Sequence, residues 1–293
     1  MKRALITGIK GFTGQYVAAE LERHGWDVWG TGSHEAEDVQ YRRADLMDAR
    51  AVQEVVQEVQ PDAVVHLAAI AFVGHGDPEA FYRVNVIGTR NLLSALASCP
   101  KKPKCTLLAS SANVYGNSTE GTLHESTVLN PANDYAVSKL AMEYMAKLWA
   151  DSLPIVITRP FNYTGVGQSE SFLLPKIVSH FRRNAEVIQL GNLDVWRDFS
   201  DVRSVAHAYR HLLEAAPSGE TVNVCSEQAY SLREVIAMAE RITGHKISVE
   251  VNPEFVRKNE IKTLSGDGSK LRSLIREWQP RPLEETLRWM LEQ

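Results

Sequence analysis

A tyrosine and a lysine stand four residues apart near the middle of the chain, as Tyr135 and Lys139. The segment around them predicts a helix, in which residues four apart project their side chains to the same side. A free phenol has a pKa of about 10, and a neighbouring ammonium group favours its ionised form. The pair therefore predicts a tyrosine that exchanges protons near neutral pH with a lysine beside it.

The position of this pair strengthens the prediction, because the same spacing occurs by chance in many helices. The pair follows the segment 110–116, Ser-Ser-Ala-Asn-Val-Tyr-Gly, which comes directly after a predicted strand. Open α/β sheets bind their ligands at the carboxyl ends of the strands. The tyrosine and the lysine are therefore expected beside a ligand groove.

Three glycines, Gly8, Gly11 and Gly14, follow the predicted strand 3–7 and open a predicted helix. The unpaired amides and the dipole of a helix start favour a diphosphate, and glycine allows the backbone to approach it closely. This turn predicts a dinucleotide site. A tight turn without a ligand is the alternative, since a glycine triplet alone is a weak signal.

The end of the second predicted strand, residues 29–34, should distinguish NAD from NADP. A carboxylate there binds the ribose 2′-hydroxyl, whereas an arginine accepts a 2′-phosphate. The segment has no carboxylate before Glu35, and Arg43 comes from the next strand. NADP(H) is therefore favoured as the cofactor, with NAD(H) as the alternative. Asp45 and Leu46 lie where the third strand ends, and Asp45 either reaches the adenine or holds a turn.

These motifs require elements that bring them together. Along residues 1–160, buried-strand patterns alternate with helical patterns, which predicts an α/β fold with a Rossmann-like doubly wound parallel sheet, the dinucleotide-binding domain. Beyond residue 160 the alternation fails, and residues 161–293 are expected to form mainly a smaller, mixed α/β substrate-binding lobe. The buried-strand pattern at 221–225 is expected to return to the first sheet.

The composition excludes several classes of function. The chain has 293 residues, 44% of them hydrophobic and 23% charged, as in ordinary globular proteins. Its formal net charge of −4 gives no attraction for nucleic acid. The apolar runs are too short to cross a bilayer and no export signal is recognised, so no membrane partner is expected. The three cysteines lack metal-ligand spacing and suit a reducing compartment, so we expect a cytoplasmic protein without a metal site.

Taken together, the motifs resemble those of the extended short-chain dehydrogenase/reductases that act on nucleotide sugars. The matching segments are 7–14, 66–69, 84–89, 111–116, 135–139 and 159–168. The resemblance implies Tyr135 as the acid/base, Lys139 as the residue that holds the nicotinamide ribose, and Ser111 as the hydrogen-bond partner of the reacting oxygen. Asn85 would support the lysine through water, and Asn162 would lie beside the nucleotide sugar. The expected cofactor-binding residues are Gly8, Lys10, Gly11, Phe12, Gly14, Ser33, Arg43, Asp45, Leu46, Leu67, Ala68, Ala69, Tyr135 and Lys139.

Two positions after the serine bear on the reaction. Dehydratases of this family carry an acidic pair directly after the hydroxyl residue, one member giving a proton and the other removing one. Ala112 and Asn113 stand there in this sequence and cannot act as a general acid or base. Dehydration is therefore disfavoured, and reduction and 4-epimerisation remain.

The second lobe is similar to that of the GDP-4-keto-6-deoxy-D-mannose reductases that make GDP-D-rhamnose. By that similarity Arg197 and Arg257 would clamp the diphosphate with paired donors, and surface ion pairing is their alternative role. The expected substrate-binding residues are Ser111, Asn113, Asn162, Arg197, Arg257 and Glu260.

The similarity implies reduction of a GDP-linked 4-keto-6-deoxy sugar at C4. The alternatives are a nucleotide-sugar 4-epimerase, a reductase of a dTDP- or UDP-linked 4-keto sugar, and, from another class, a catalytically silent cofactor sensor. Related enzymes commonly pair through the helices that carry Tyr135 and Asn85. A homodimer is therefore expected.

Overall fold

The computed structural model describes residues 1–71, 76–116, 121–255, 262–275 and 278–293. Its strands are β1 (Arg3–Thr7), β2 (Asp27–Gly32), β3 (Tyr41–Arg43), β4 (Ala63–His66), β5 (Cys105–Ala109), β6 (Thr122–Leu123), β7 (Ile155–Pro160), β8 (Asn162–Thr164), β9 (Val187–Leu190), β10 (Trp196–Asp201), β11 (Thr221–Val224), β12 (Ala229–Ser231), β13 (Ser248–Val251) and β14 (Thr263–Gly266). Its α-helices are α1 (Phe12–Arg23), α2 (Ala49–Val59), α3 (Pro78–Tyr82), α4 (Thr89–Ser98), α5 (Asp134–Lys147), α6 (Leu173–Arg182), α7 (Val202–Ala215), α8 (Leu232–Thr243), α9 (Ser269–Leu274) and α10 (Leu283–Leu291).

The larger sheet has seven parallel strands in the order β11-β7-β5-β4-β1-β2-β3. Adjacent residues of its central strands face opposite ways, as the pleat requires. Ile6 belongs to the apolar cluster that contains residues of α1 and α7, whereas Leu5 belongs to the cluster that contains residues of α2, α4 and α5. Helices therefore cover both faces, and the expected Rossmann-like doubly wound fold is confirmed.

The smaller part of the chain contributes a mixed sheet, β12-β10-β14-β6, in which β8 also pairs with β10. A two-stranded sheet, β13-β9, lies beside an apolar cluster built from α6, α8 and α10. Strand β11 pairs with β7 in the larger sheet, so the chain returns there after α7. A domain boundary at residue 160 stays a prediction.

Helix α2 begins at a capping aspartate. The Asp48 carboxylate accepts hydrogen bonds from Arg50 N (3.1 Å) and Ala51 N (3.0 Å), which satisfies amides that the first turn leaves unpaired. Val52, Val55, Val56 and Val59 are all buried on one face of this helix. That face packs against α4 and the sheet.

The region 78–98 is not one continuous α-helix. A π-helical segment, Arg83–Gly88, separates α3 from α4. Within it, the Asn85 carbonyl accepts a hydrogen bond from Thr89 Oγ1 at 2.7 Å. π-Helical turns are rare and are often found at functional sites.

None of the helices described is long and apolar enough to cross a membrane.

Candidate functional site

The glycine turn lies at the carboxyl end of β1, in the middle of the larger sheet. Gly8 has φ +75°, and a β-carbon there would come within 2.8 Å of Ala68 N, just after β4. A β-carbon at Gly14 would overlap the Gly8 carbonyl oxygen and come within 2.6 Å of Ile9 Cα. Glycine is therefore required at both positions, by the conformation of the turn and by close packing of α1 against β1.

The first turn of α1 has the features of an anion site. Its N-cap residue is Gly11, which has no side chain to bond the first amides. Those amides and the helix dipole are available to a diphosphate. The chain after β4 runs alongside, where Leu67 N and Ala68 N donate hydrogen bonds to Thr7. The residues present fit the dinucleotide that the sequence suggests, and Ala69 continues this edge of the groove.

Charged side chains gather beyond the end of β2. Arg43 Nε donates to the Ser33 carbonyl at 3.1 Å, and its NH1 lies 2.9 Å from Glu35 Oε1. Lys10 Nζ lies 3.3 Å from Asp38 Oδ2. Both ion pairs are exposed, so each cation can exchange its carboxylate for another anion at little cost.

The remaining predicted cofactor positions have ordinary packing roles in the protein without ligand. Asp45 Oδ1 accepts a hydrogen bond from Met47 N at 2.9 Å, so the carboxylate holds a turn. Leu46 is buried and lies against Gly88. The Phe12 ring stacks on the Tyr163 ring, with 6.2 Å between centroids.

Tyr135 lies in the first turn of α5, and its side chain is held against the end of β5. The residue is 8% exposed, and its ring packs against Phe81. Burial raises the pKa of the phenol to about 12, an effect that hydrogen bonding with the Ser111 side chain partly offsets. Ser111 follows β5, and its Oγ also accepts a hydrogen bond from Asn113 N at 3.1 Å. The phenol and the serine hydroxyl are therefore together, as the sequence suggests.

Lys139 lies one turn further along α5, and its ammonium group is bonded to the main chain. Nζ donates to the Ala109 carbonyl oxygen at 2.7 Å, and the residue is 5% exposed. Burial lowers the pKa of Lys139 to about 8, while the Glu143 carboxylate raises it. The expected lowering of the Tyr135 pKa by this lysine is wrong, because burial dominates and the pKa of the phenol rises.

Asn85 is buried beside α5, but its side chain contacts Ser138 and not Lys139. Its Nδ2 donates to Ser138 Oγ at 3.0 Å, and its Oδ1 accepts from Ile70 N at 3.0 Å. The side chain therefore ties the chain after β4 to the helix that carries the tyrosine and the lysine. A water-linked role toward Lys139 stays a prediction.

A buried polar network next to these residues was missed by the sequence analysis. Glu143 Oε2 lies 2.6 Å from Arg159 NH2, and Glu143 Oε1 accepts from Ser110 Oγ at 2.5 Å and from Arg159 Nε at 3.0 Å. Arg159 NH1 donates to Tyr115 OH at 3.1 Å, and that hydroxyl donates to Asn223 Oδ1 at 2.6 Å. The available signal was a carboxylate four residues after Lys139, on the same face of the helix.

His66 is the first residue of the matching segment 66–69, and the sequence alone does not indicate its contacts. Its Nδ1 lies 2.7 Å from Thr7 Oγ1, and its Nε2 lies 2.8 Å from Thr89 Oγ1. Burial, with the nearby charge of Lys139, lowers the pKa of His66 to about 3. The imidazole is therefore neutral at physiological pH and joins β1, β4 and α4.

Three of the other predicted substrate residues are at least partly accessible to solvent. Asn113 and Asn162 are exposed, and Asn162 Nδ2 lies 3.4 Å from the Asp198 carbonyl oxygen. Arg197 is half-buried, and its NH1 donates to the carbonyl of Trp196 at 2.9 Å. Arg257 and Glu260 lie outside the described residues, so their predicted roles stay predictions.

The position after the serine cannot supply a reactive group. Ala112 is buried in an apolar cluster with Phe161 and Cys225, so its side chain points into the core. In the part of the chain that the structure describes, His, Cys, Asp and Glu side chains form no group of three or more that could hold a metal ion.

Similar proteins are known by sequence. The family model described as GDP-mannose 4,6 dehydratase matches residues 5–290. The GDP-6-deoxy-D-talose 4-dehydrogenase of Aggregatibacter actinomycetemcomitans is 35% identical over 274 residues, which are 93% of this chain and 91% of that protein. The GDP-6-deoxy-D-mannose reductase of Pseudomonas aeruginosa is 32% identical over 304 residues, with 99% and 96% of the two chains covered.

Solved structures are similar over the same extent. A crystal structure from Burkholderia cenocepacia J2315, provisionally described as an epimerase, has a TM-score of 0.94 and 57% identity, covering 99% of this chain and 97% of that one. The structure of RMD from Pseudomonas aeruginosa complexed with NADPH has a TM-score of 0.88 and 30% identity, covering 100% and 98%. The chain therefore belongs to the GDP-mannose 4,6-dehydratase family, within the extended short-chain dehydrogenase/reductases.

Proposed function

We propose that the protein is an oxidoreductase that reduces the C4 ketone of a GDP-4-keto-6-deoxyhexose with NADPH, giving a sugar of the GDP-D-rhamnose type. The observation that carries the proposal is the buried pairing of Tyr135 with Ser111 at the carboxyl end of β5, next to Lys139. The two relatives above are named for GDP-linked 6-deoxy sugars, which favours GDP as the nucleotide.

Tyr135 is the proposed proton donor. A reduced nicotinamide, from a cofactor whose diphosphate lies at the glycine turn, would supply the hydride to the ketone carbon. Because burial raises the pKa of Tyr135 to about 12, the phenol carries its proton at neutral pH. That is the form required to protonate an oxygen that becomes an alkoxide during reduction. Ser111 Oγ would bond the same oxygen and stabilise its developing charge.

Lys139 and Asn85 would act beside the phenol. The Lys139 ammonium group, held by the Ala109 carbonyl, is proposed to hold the nicotinamide ribose. Asn85 would keep α5 and the chain after β4 in register through its bonds to Ser138 and Ile70. Asn162, Arg197, Arg257 and Glu260 are proposed to bind the nucleotide sugar, with Asn113 at the entrance.

Dehydration, the activity in the family's description, is disfavoured by two side chains. Ala112 has no proton to give and is buried in the core. The amide of Asn113 does not titrate in the pH range of enzymes. A 4,6-dehydratase would need a carboxyl acid and a carboxylate base at these positions.

NADP(H) is proposed as the cofactor because of the cations beyond β2. Arg43 and Lys10 are each paired with an exposed carboxylate, Glu35 and Asp38 respectively. A 2′-phosphate carries more charge than a carboxylate and forms stronger hydrogen bonds with guanidinium. It would therefore displace both acids, with the Ser33 hydroxyl as a further donor. The P. aeruginosa structure with NADPH supports this choice.

A 4-epimerase is the second candidate, favoured by the 57% identity to the B. cenocepacia protein. An epimerase reuses one bound NAD⁺ and tends to retain it through purification, whereas a reductase exchanges its cofactor in every turnover. Denaturing the purified protein and analysing the released nucleotide distinguishes the two. Stoichiometric NAD⁺ would support the epimerase and contradict the reductase.

The direct test mixes the protein with NADPH and GDP-4-keto-6-deoxymannose and follows the loss of nicotinamide absorbance. The dTDP- and UDP-linked analogues serve as matched controls. We expect nicotinamide absorbance to fall rapidly with the GDP sugar and at least tenfold more slowly with the controls. A tenfold difference in rate corresponds to about 1.4 kcal/mol in transition-state binding. Equal rates would overturn the choice of GDP, and no loss with any sugar would overturn the reductase.

A homodimer is also proposed. The outer face of α5 exposes Tyr144 and Leu148, and Leu148 is 83% accessible to solvent. Light scattering during size-exclusion chromatography should give twice the mass of one chain for the wild type and one chain for Leu148→Glu. A monomeric wild type would contradict the proposal.

A further inference from the structure

Three consecutive residues at the end of β5 are each bonded to a different turn of α5. Ser111 contacts Tyr135, the Ala109 carbonyl accepts from Lys139, and Ser110 Oγ donates to Glu143 at 2.5 Å. The three helix residues are spaced by four, so they lie along one face. The third contact belongs to a residue that the proposed reaction does not use.

Glu143 is fixed from the opposite side by the neighbouring strand. Arg159 of β7 donates to both of its carboxylate oxygens, at 3.0 Å and 2.6 Å, in the two-pronged geometry typical of strong arginine–carboxylate pairs. The side chains of Glu143 and Arg159 are only 3% and 6% exposed. A buried pair of this kind adds little net stability compared with apolar packing, so a role in positioning explains it better.

We propose that Glu143 is a positioning residue that holds the Ser110-Ser111 segment against α5 and keeps the Lys139 side chain in its charged form. This inference rests on the proposed function for its catalytic consequence. The geometry supplies both parts, since one carboxylate bonds Ser110 and lies one helical turn beyond Lys139. Arg159 orients that carboxylate and neutralises it, so the pair stays buried without an isolated charge.

The groups around Lys139 identify Glu143 as the source of its charge stabilisation. His66 faces Lys139 from β4 and is neutral, because its pKa is lowered to about 3. Tyr135 faces it from α5 and is also neutral, because its pKa is raised. Arg159 of β7 is the cation that is paired with Glu143. Glu143 is the anion that raises the pKa of Lys139 against burial.

The test is Glu143→Gln, which keeps the size of the side chain but removes the charge. The amide oxygen can still accept one of the hydrogen bonds of the carboxylate, whereas the amide nitrogen can only donate and cannot replace the oxygen that accepts from Arg159 NH2. Loss of the anion should lower the pKa of Lys139. Following the ¹³Cε resonance of Lys139 against pH in the protein without substrate, we expect the midpoint to fall by about one unit or more. In turnover assays the alkaline limb should move to lower pH by the same amount.

Glu20→Gln is the matched control. Glu20 also forms a buried ion pair, with Arg210 at 2.9 Å, but it bonds neither β5 nor Lys139. It should lose comparable stability and leave the Lys139 midpoint unchanged. Equal midpoints in Glu143→Gln and the wild type, or equal shifts in both variants, would overturn the proposal.

Two milder variants decide the question if Glu143→Gln does not fold. Glu143→Asp keeps the charge and should keep the Lys139 midpoint near the wild-type value. Ser110→Ala removes one hydroxyl and should lower kcat about tenfold, which corresponds to a rise of about 1.4 kcal/mol in the activation free energy. The NADPH dissociation constant should stay within about twofold of the wild-type value. Unchanged kcat in Ser110→Ala would overturn the positioning role, and a Lys139 midpoint lowered in Glu143→Asp by a unit or more would overturn the role of the charge. Because the lysine titration needs no substrate, failure of the wild type to reduce any sugar would count against the proposed function only.

Discussion

Replacing Tyr135 with phenylalanine isolates the chemistry of one hydroxyl group. The ring is buried and packs against Phe81 with 6.1 Å between centroids, and phenylalanine preserves that packing. The variant loses the hydrogen bond with Ser111, worth about 1 kcal/mol. We therefore expect a folded protein whose thermal midpoint lies within a few degrees of the wild type, about 2–4 °C per kcal/mol for a chain of this size.

Turnover should fall far more than stability. A positioned general acid contributes about 10²- to 10⁴-fold in rate, or about 2.7–5.4 kcal/mol of barrier. Ser111 would still bond the reacting oxygen, so a small residual rate is consistent with the mechanism. The glycine turn and the region beyond β2 are unchanged, so we expect the NADPH dissociation constant to stay within about threefold, under 1 kcal/mol.

Two measurements test this prediction. Fluorescence titration gives the NADPH dissociation constant, and loss of nicotinamide absorbance with the GDP-linked ketosugar gives kcat. Tyr209→Phe is the matched control, because it removes a second fully buried phenol, bonded by Thr158 Oγ1 at 3.2 Å. Tyr209→Phe should keep its kcat within about twofold, under 0.5 kcal/mol. If Tyr135→Phe kept more than a few per cent of wild-type turnover, the proton-donor role would be refuted.

Three further changes test other parts of the site. Gly14→Ala forces a methyl group against the Gly8 carbonyl. We therefore expect a lower thermal midpoint, with a free energy of unfolding reduced by about 1–3 kcal/mol. We also expect NADPH binding that no longer saturates. Arg43→Ala should raise the NADPH dissociation constant about 10- to 100-fold, because a charged hydrogen bond worth about 1.5–3 kcal/mol is removed, and it should leave NADH binding unchanged. An equal loss of affinity for NADPH and NADH would favour NAD(H) as the cofactor. The folded-state pKa of His66 is about 3, below its unfolded value of about 6.5, so stability is lost as pH falls through this window. In urea unfolding from pH 7 to pH 5, the wild type should lose about 2 kcal/mol more than His66→Gln, and identical losses would show that the pKa of the imidazole is the same in the folded and unfolded states.

The features that the sequence predicts well are fixed by neighbours along the chain. The glycine turn needs only β1 before it and α1 after it, and the start of α2 needs only Asp48 and the amides that follow. Strands β1, β4, β5 and β7 are recognisable because both faces of the sheet are covered there, which makes these strands mainly apolar. The parallel direction of these strands then follows from the helical crossovers between them.

The features that it predicts poorly depend on burial and on distant partners. The spacing of Tyr135 and Lys139 correctly places both side chains on one face of α5, but spacing alone gives no measure of solvent exclusion. Burial reverses the expected direction of the phenol pKa. The Lys139 ammonium group selects a backbone carbonyl, which has no signature in a sequence.

The protonation states of Tyr135 and Lys139 agree with the proposed reduction. A phenol that holds its proton at neutral pH can donate it to the oxygen of a ketone that is being reduced. Burial keeps Tyr135 in that form, while Glu143 offsets the same burial at Lys139, since a neutral amine there could not hold a positive charge beside the ribose. Both groups lie on one helix, both are buried, and both are needed in their protonated form. Burial favours the neutral form of each group, which is the protonated form of the phenol but the deprotonated form of the amine. Only Lys139 therefore needs a nearby charge to offset its burial. A carboxylate near the lysine is the simplest way to meet that requirement, which is why the spacing of Tyr135, Lys139 and Glu143 carries more information than the first two residues alone.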